Sequence, residues 1–183
     1  GVPGAILSVI AQNILNSALF TFNLTKPSEI LDKASELMQN TLAQGGDQVR
    51  DGMDIALCAL NRSTMKLEYA GANNPLYIIS GNELREVKAS KKPVGKYEAE
   101  DCFVNNEITL LKGDSIYLFS DGIADQFGGT NQKKFKYKAL KELLAGIYTK
   151  PLHEQKSAIT SSFLNWKGKL EQVDDVCILG VRI

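Results

Sequence analysis

The run "SIYLFSDG", Ser115–Gly122, decides how the fold is read. Ser115 to Phe119 is apolar, with a β-branched and aromatic bias that suits a strand inside a sheet, and Ser-Asp-Gly ends it with a turn. A second run of the same character, "VCILGVRI" from Val176 to Ile183, follows directly on Asp174-Asp175. If the two strands are antiparallel neighbours, the end of one lies beside the start of the other, and the carboxylates meet at one end of the sheet. Both runs are too apolar for an edge, so both are expected within one sheet.

Working outward, "MDIALCALN" and "KLEYAGA" flank the turn residues Arg62-Ser63, and "PLYIIS" and "ELREV" flank Gly81-Asn82, which predicts two consecutive antiparallel hairpins. A strand in "FVNNEITL" then precedes the Lys112-Gly113 turn. On either side of this block the apolar period becomes helical. Ile30, Leu31, Ala34, Leu37, Met38 and Leu42 share one face after Pro27, and Gly45-Gly46 ends that helix. Helical spacing returns over Tyr137–Tyr148 and Leu152–Trp166, broken near Pro151. Helices, strands, helices and a closing strand make an α+β layered order, in which each helix pair needs a sheet face to cover.

The 183 residues with 44% hydrophobic content suit one domain spanning 1–183. Lys plus Arg equals Asp plus Glu at 21 each, so no global field attracts nucleic acid or an anionic membrane, and neither is an expected partner. Ala5 to Phe22 is about as long as a membrane span, but Gln12, Asn13, Asn16 and Ser17 interrupt it, so a core helix is expected. Cys58, Cys102 and Cys177 have no CxxC spacing and are expected as small buried residues in a reducing, cytoplasmic compartment.

Carboxylates crowded at the end of a rigid sheet repel one another unless a cation intervenes, and an all-oxygen set favours hard ions such as magnesium or manganese. Taken singly, Asp-Gly is also an ordinary turn and Asp-Asp an ordinary solvated loop. Other chemistries fit less well. The only histidine, His153, falls at a helix start beside Glu154, which makes it a surface residue, and no GxxxxGK[ST] or GxGxxG occurs. Gly128-Gly129 is expected to loosen a loop. "KKFKYK", Lys133–Lys138, reads as a solvated helix start or as a dock for an acidic or phosphorylated partner, and "KASKKPVG", Lys88–Gly95, is similarly open. Asp51 and Asp54 fit a strand-start turn, and Asp54 could also support an ion site by hydrogen bonding.

In order and at similar spacing, four stretches resemble the metal-dependent serine/threonine phosphatases of protein phosphatase 2C type, in the bacterial branch of stage II sporulation protein E and the sigma-factor regulatory phosphatases. "GVPGAILSVI" is similar to the end of that branch's Asp-x-x-Gly-His-Gly-x-Pro-Gly-Ala motif. "LEYAGANNPLYII", "GDSIYLFSDGIAD" and "QVDDVCILGVRI" are similar to its next three blocks.

The resemblance implies a four-layer αββα sandwich of two antiparallel sheets flanked by helices. It implies metal ligation by Asp121 and Asp174, with Asp175 adjacent and Asp125 serving an additional or weaker ion. Two manganese or magnesium ions would hydrolyse a phosphoserine or phosphothreonine monoester without a phosphoenzyme. The implied partners are a phosphorylated regulatory protein, an anti-sigma antagonist of the STAS type, and an upstream sensor domain in a longer parent chain.

The family's bridging aspartate and the Gly-His of its motif would fall before Gly1, along with the first strands of both sheets. The catalytic residues are therefore not assigned within the chain. On this reading the fragment binds metal weakly, has little activity, and exposes strand edges that invite a homodimer. The alternative is a pseudophosphatase that binds a phosphoprotein or transmits a signal without catalysis.

Overall fold

The fold is described from a computed structural model covering residues 2–43, 52–95 and 101–183. In chain order it comprises α1 (Val2–Asn16), a π-helical turn (Ser17–Thr21), α2 (Pro27–Ala43), β1 (Gly52–Met53), β2 (Ile55–Asn61), β3 (Lys66–Ala72), β4 (Leu76–Ser80), β5 (Glu83–Val87) and β6 (Val94–Gly95). Then come β7 (Asn106–Thr109), β8 (Ser115–Phe119), α3 (Gly122–Asp125), β9 (Phe127–Gly128), β10 (Lys133–Lys134), α4 (Lys136–Ile147), α5 (Leu152–Lys167) and β11 (Ile178–Arg182). The chain divides into two compact units, each an antiparallel sheet with a helix pair.

The first unit holds Gly1–Pro75 and Lys88–Thr109. Its three-stranded sheet has the order β2-β3-β7, with Ile55 opposite Ala72 and Lys66 opposite Thr109. Leu31, Ala34 and Met38 recur at three- and four-residue steps on α2, and this stripe packs with Ala11 and Ile14 of α1 against Ala70, Ala72, Val94 and Phe103. Polar side chains of α2 fix the neighbouring irregular chain. Asp32 accepts the Phe103 N–H at 2.9 Å, and Gln39 donates to the Gly95 carbonyl at 2.7 Å.

α1 departs from the expected core helix. Within its apolar run only Ala11, Ile14 and Ala18 are buried, while Val9 is 59% and Phe20 76% exposed. An i, i+3, i+7 stripe covers too narrow an arc to bury a helix that is apolar on most sides. The stretch Gly4–Thr21 has a mean hydropathy of 1.3 and is long and apolar enough to cross a membrane.

The second unit holds Leu76–Val87 and Leu110–Ile183. Its sheet has the order β11-β8-β4-β5, every pair antiparallel, with Tyr77 opposite Tyr117 and Ile178 opposite Phe119. Two-residue alternation puts Tyr77, Ile79, Tyr117 and Phe119 into one core with Leu140 and Leu144 of α4 and Phe163 of α5. Gln155 is buried within α5 but satisfied: it accepts from the Tyr117 hydroxyl at 2.8 Å and donates to the carbonyls of Tyr148 and Lys150.

Three expectations are corrected here. β11 does join the sheet of β8, but as an edge strand among the described residues. Its apolar character reflects a half-covered strand, with Leu179 54% exposed. The cysteines are not all buried: Cys58 is half-buried, and Cys102 and Cys177 are exposed because they lie in irregular chain or at a strand start. Gly128 serves close packing and does not loosen a loop, since a Cβ there would lie 1.9 Å from the Trp166 carbonyl oxygen. Asp51 and Gly45-Gly46 lie outside the described residues.

Candidate active site

The second unit brings the two acidic turns together. β8 runs into Ser120 and the Asp121-Gly122 turn, and β11 pairs with it from Ile178↔Phe119 onward, so Asp174-Asp175 arrive beside that turn. The juxtaposition is locked through the backbone. The Ser120 N–H donates to the Cys177 carbonyl at 3.0 Å, and the Ser120 hydroxyl donates to the Asp175 carbonyl at 2.9 Å while accepting the Cys177 N–H at 2.9 Å. A Cβ on Gly122 would lie 2.4 Å from the Asp175 carbonyl oxygen, so only glycine permits this approach.

Each predicted residue has a definite place. Asp121 is half-buried at the start of α3, and its carbonyl accepts the Asp125 N–H at 2.9 Å. Asp174 is exposed, and its carboxylate accepts the Asp175 N–H at 2.7 Å, which shapes the turn. Asp125 pairs with Lys134 of β10 at 2.9 Å, so a protein cation already stands beside it. Asp54 belongs to the first unit, where it is exposed outside the strands and accepts a hydrogen bond from Asn73 at 2.7 Å. His153 is an exposed residue of α5, as expected.

Two residues that sequence reasoning passed over hold the site. Ser120 makes the clasp just described. Gln126 is fully buried, donates to the Glu171 carbonyl at 2.9 Å and accepts the Val173 N–H at 3.3 Å, fastening the segment that leads into Asp174. Nothing in the sequence marks Gln126, whose neighbours Asp125 and Phe127 are not buried.

The donor set is oxygen-only and stands on two turns fastened backbone to backbone, which is the right chemistry for a hard divalent ion. Among the described residues, no three His, Cys, Asp or Glu side chains are gathered closely enough to enclose one. A cleft of about 560 Å³ between α5 and β11 is lined by Leu152, Ile159, Phe163 and Leu179 and contains none of the four aspartates.

The stage II sporulation protein E (SpoIIE) family model matches residues 1–183. The chain belongs to the SpoIIE family. It is a protein phosphatase 2C-type serine/threonine phosphatase domain, and its mixed α+β architecture of antiparallel sheets and helices agrees with solved members of that type.

The SiaA-PP2C domain of Pseudomonas aeruginosa is 29% identical, with a TM-score of 0.91 over 100% of this chain and 71% of that one. The RsbU and RsbW domains of a Mycobacterium tuberculosis protein match at 18% identity and TM-score 0.75, over 100% of this chain and 48% of that one. The PP2C phosphatase domain of SpoIIE from Bacillus subtilis, with a fragment of its regulatory domain, matches at 16% identity and TM-score 0.72, over 94% of this chain and 48% of that one. The last two likenesses carry fold alone. No curated protein matches the chain.

Proposed function

We propose that the domain hydrolyses phosphoserine or phosphothreonine on a regulatory protein of the STAS type, using manganese or magnesium, as the output domain of a longer chain. The observation that carries this reading is the backbone-locked meeting of the Asp121-Gly122 turn with Asp174-Asp175. Asp121 and Asp174 would hold the metal, with Asp175 beside them. When bound, the ions would lower the pKa of a water to give hydroxide and neutralise charge on the phosphoryl oxygens. The chain's own part is positional. Ser120 fixes the Asp175 backbone, Gly122 admits it, and Gln126 holds the approach to Asp174.

The test is manganese-dependent release of phosphate from a phosphorylated STAS protein by the domain with its upstream residues, beside Asp121→Asn. Activity that disappears in the variant supports the reading. Equal activity in both removes it.

A second reading, a non-catalytic phosphoprotein-binding module, is favoured by the absence of three converging ligands among the described residues. It would take the lead if the folded domain bound the phosphoprotein but released no phosphate with manganese.

A further inference from the structure

Beside the candidate site the chain raises a ridge of lysines. Within Lys133–Lys138 every residue except Phe135 and Tyr137 is a lysine, and all four lysines are exposed. The net charge of the whole chain is zero, so the ridge is a local feature and not part of a general basic field.

The ridge is held rigidly. Phe135 is buried with its ring edge-on to Trp166 at 5.6 Å, and its N–H donates to the Gln126 carbonyl at 2.9 Å. Gln132 and Lys136, on either side of β10, adopt positive φ of 48° and 71°, conformations that ordinary side chains enter only when the surroundings hold them there.

Two tethers place it next to the aspartates: Lys134 pairs with Asp125 at 2.9 Å, and the Tyr137 ring lies 6.1 Å from that of Phe119, two residues before Asp121. Lys138 stands 4.0 Å from Glu142, whereas Lys133 and Lys136 have no ion-pair partner among the described residues.

We infer that this ridge docks an acidic segment of the phosphoprotein, selecting substrates whose phosphorylated residue is flanked by Asp or Glu. The inference rests on the proposed function for the identity of the partner. Cations left unpaired on a pre-ordered backbone favour carboxylates reaching in from a partner and give that partner little ordering penalty on the protein side. A nucleic acid fits less well, because the ridge contains no arginine and spans only six residues of a neutral chain.

The test is fluorescence anisotropy with the full-length protein and divalent ions chelated, so that binding is read apart from hydrolysis. The probes are a labelled phosphoserine peptide with Asp and Glu flanks, the same peptide with Gln and Ala flanks, and a single-stranded oligonucleotide.

The acidic peptide should bind about tenfold more tightly than the neutral one at low salt, with the advantage largely lost near ~0.5 M salt. The double reversal Lys133→Glu/Lys136→Glu should abolish the preference, the milder Lys133→Gln/Lys136→Gln should reduce it, and Lys150→Glu should retain it, with thermal melts confirming folded protein. Equal affinity for the two peptides, or a preference that survives the reversal, overturns the inference. So does an oligonucleotide that binds more tightly than the acidic peptide through the same lysines. Because binding is read without metal, an inactive protein that keeps the preference defeats the proposed function alone.

Discussion

The Ser120 hydroxyl donates to the Asp175 carbonyl at 2.9 Å, so a single side chain at the end of β8 sets the backbone beside Asp174 at the start of β11. The same oxygen accepts the Cys177 N–H, and removing it leaves two backbone groups without their partner. Ser120→Ala should lower stability by about 1–2 kcal/mol. It should also weaken manganese binding more than that loss alone explains, because the turn bearing Asp174 is freed. Urea unfolding and manganese titration of the same sample check both.

Gly122 and Gly146 make opposite predictions for the same substitution. Gly122→Ala drives a methyl to 2.4 Å from the Asp175 carbonyl oxygen, and backbone on both sides must move, at about 2 kcal/mol or more. Gly146 is in α4 with nothing within 4 Å of its would-be Cβ, so Gly146→Ala should stabilise by about 0.5–1 kcal/mol. Paired denaturation curves decide it. Equal effects of one sign would show that the approach at Gly122 is not tight.

Gln126→Leu keeps the side chain's bulk but removes its hydrogen bonds to the Glu171 carbonyl and the Val173 N–H. Two backbone groups in part-buried bonds lose their partner, for a loss of about 1–2 kcal/mol. Hydrogen exchange should show faster opening over Glu171–Asp175, with α2 in the first unit unchanged.

Alkaline pH should loosen the protein. Burial pushes the Cys58 thiol up to about 12. Burial likewise raises Tyr77, with the charge of Glu86 adding to it, and burial raises Tyr117. These groups hold their protons in the folded chain at pH values where the unfolded chain has released them. Their contribution is therefore complete below the ordinary thiol range and is lost as pH climbs toward the folded values. Urea midpoints should fall from pH 9 toward 11, and Cys58→Val should flatten part of that fall. At pH 8, a thiol reagent should leave Cys58 unlabelled until the chain unfolds.

Much of this was legible in the chain. Leu31, Ala34 and Met38 gave α2 by period, and "SIYLFSDG" with "DDVCILGV" gave both the strand pairing and the meeting of the acidic turns. What escaped had no period to show. β9 and β10 are two residues each, so the hairpin that carries Lys134 to Asp125 left no alternation to read. Ser120 and Gln126 look like any polar residues until their partners, some fifty residues away, are in place. The edge position of β11 depends on which strands surround it, and composition does not record that.

The sheet order β11-β8-β4-β5 also bears on how the chain is made. Translation delivers β4 and β5 first, diverts through Lys88–Thr109 into the other unit, and supplies β8 only afterwards. The Asp121 turn then waits, complete in itself but without its counterpart, until Ile178–Arg182 have left the ribosome. A nascent chain stalled between those two strands carries half of the acidic pair at the end of a strand paired on one side only, with β4. Assembly of the site thus waits on its last strand, and a chain without β11 presents only the Asp121 half of the acidic pair.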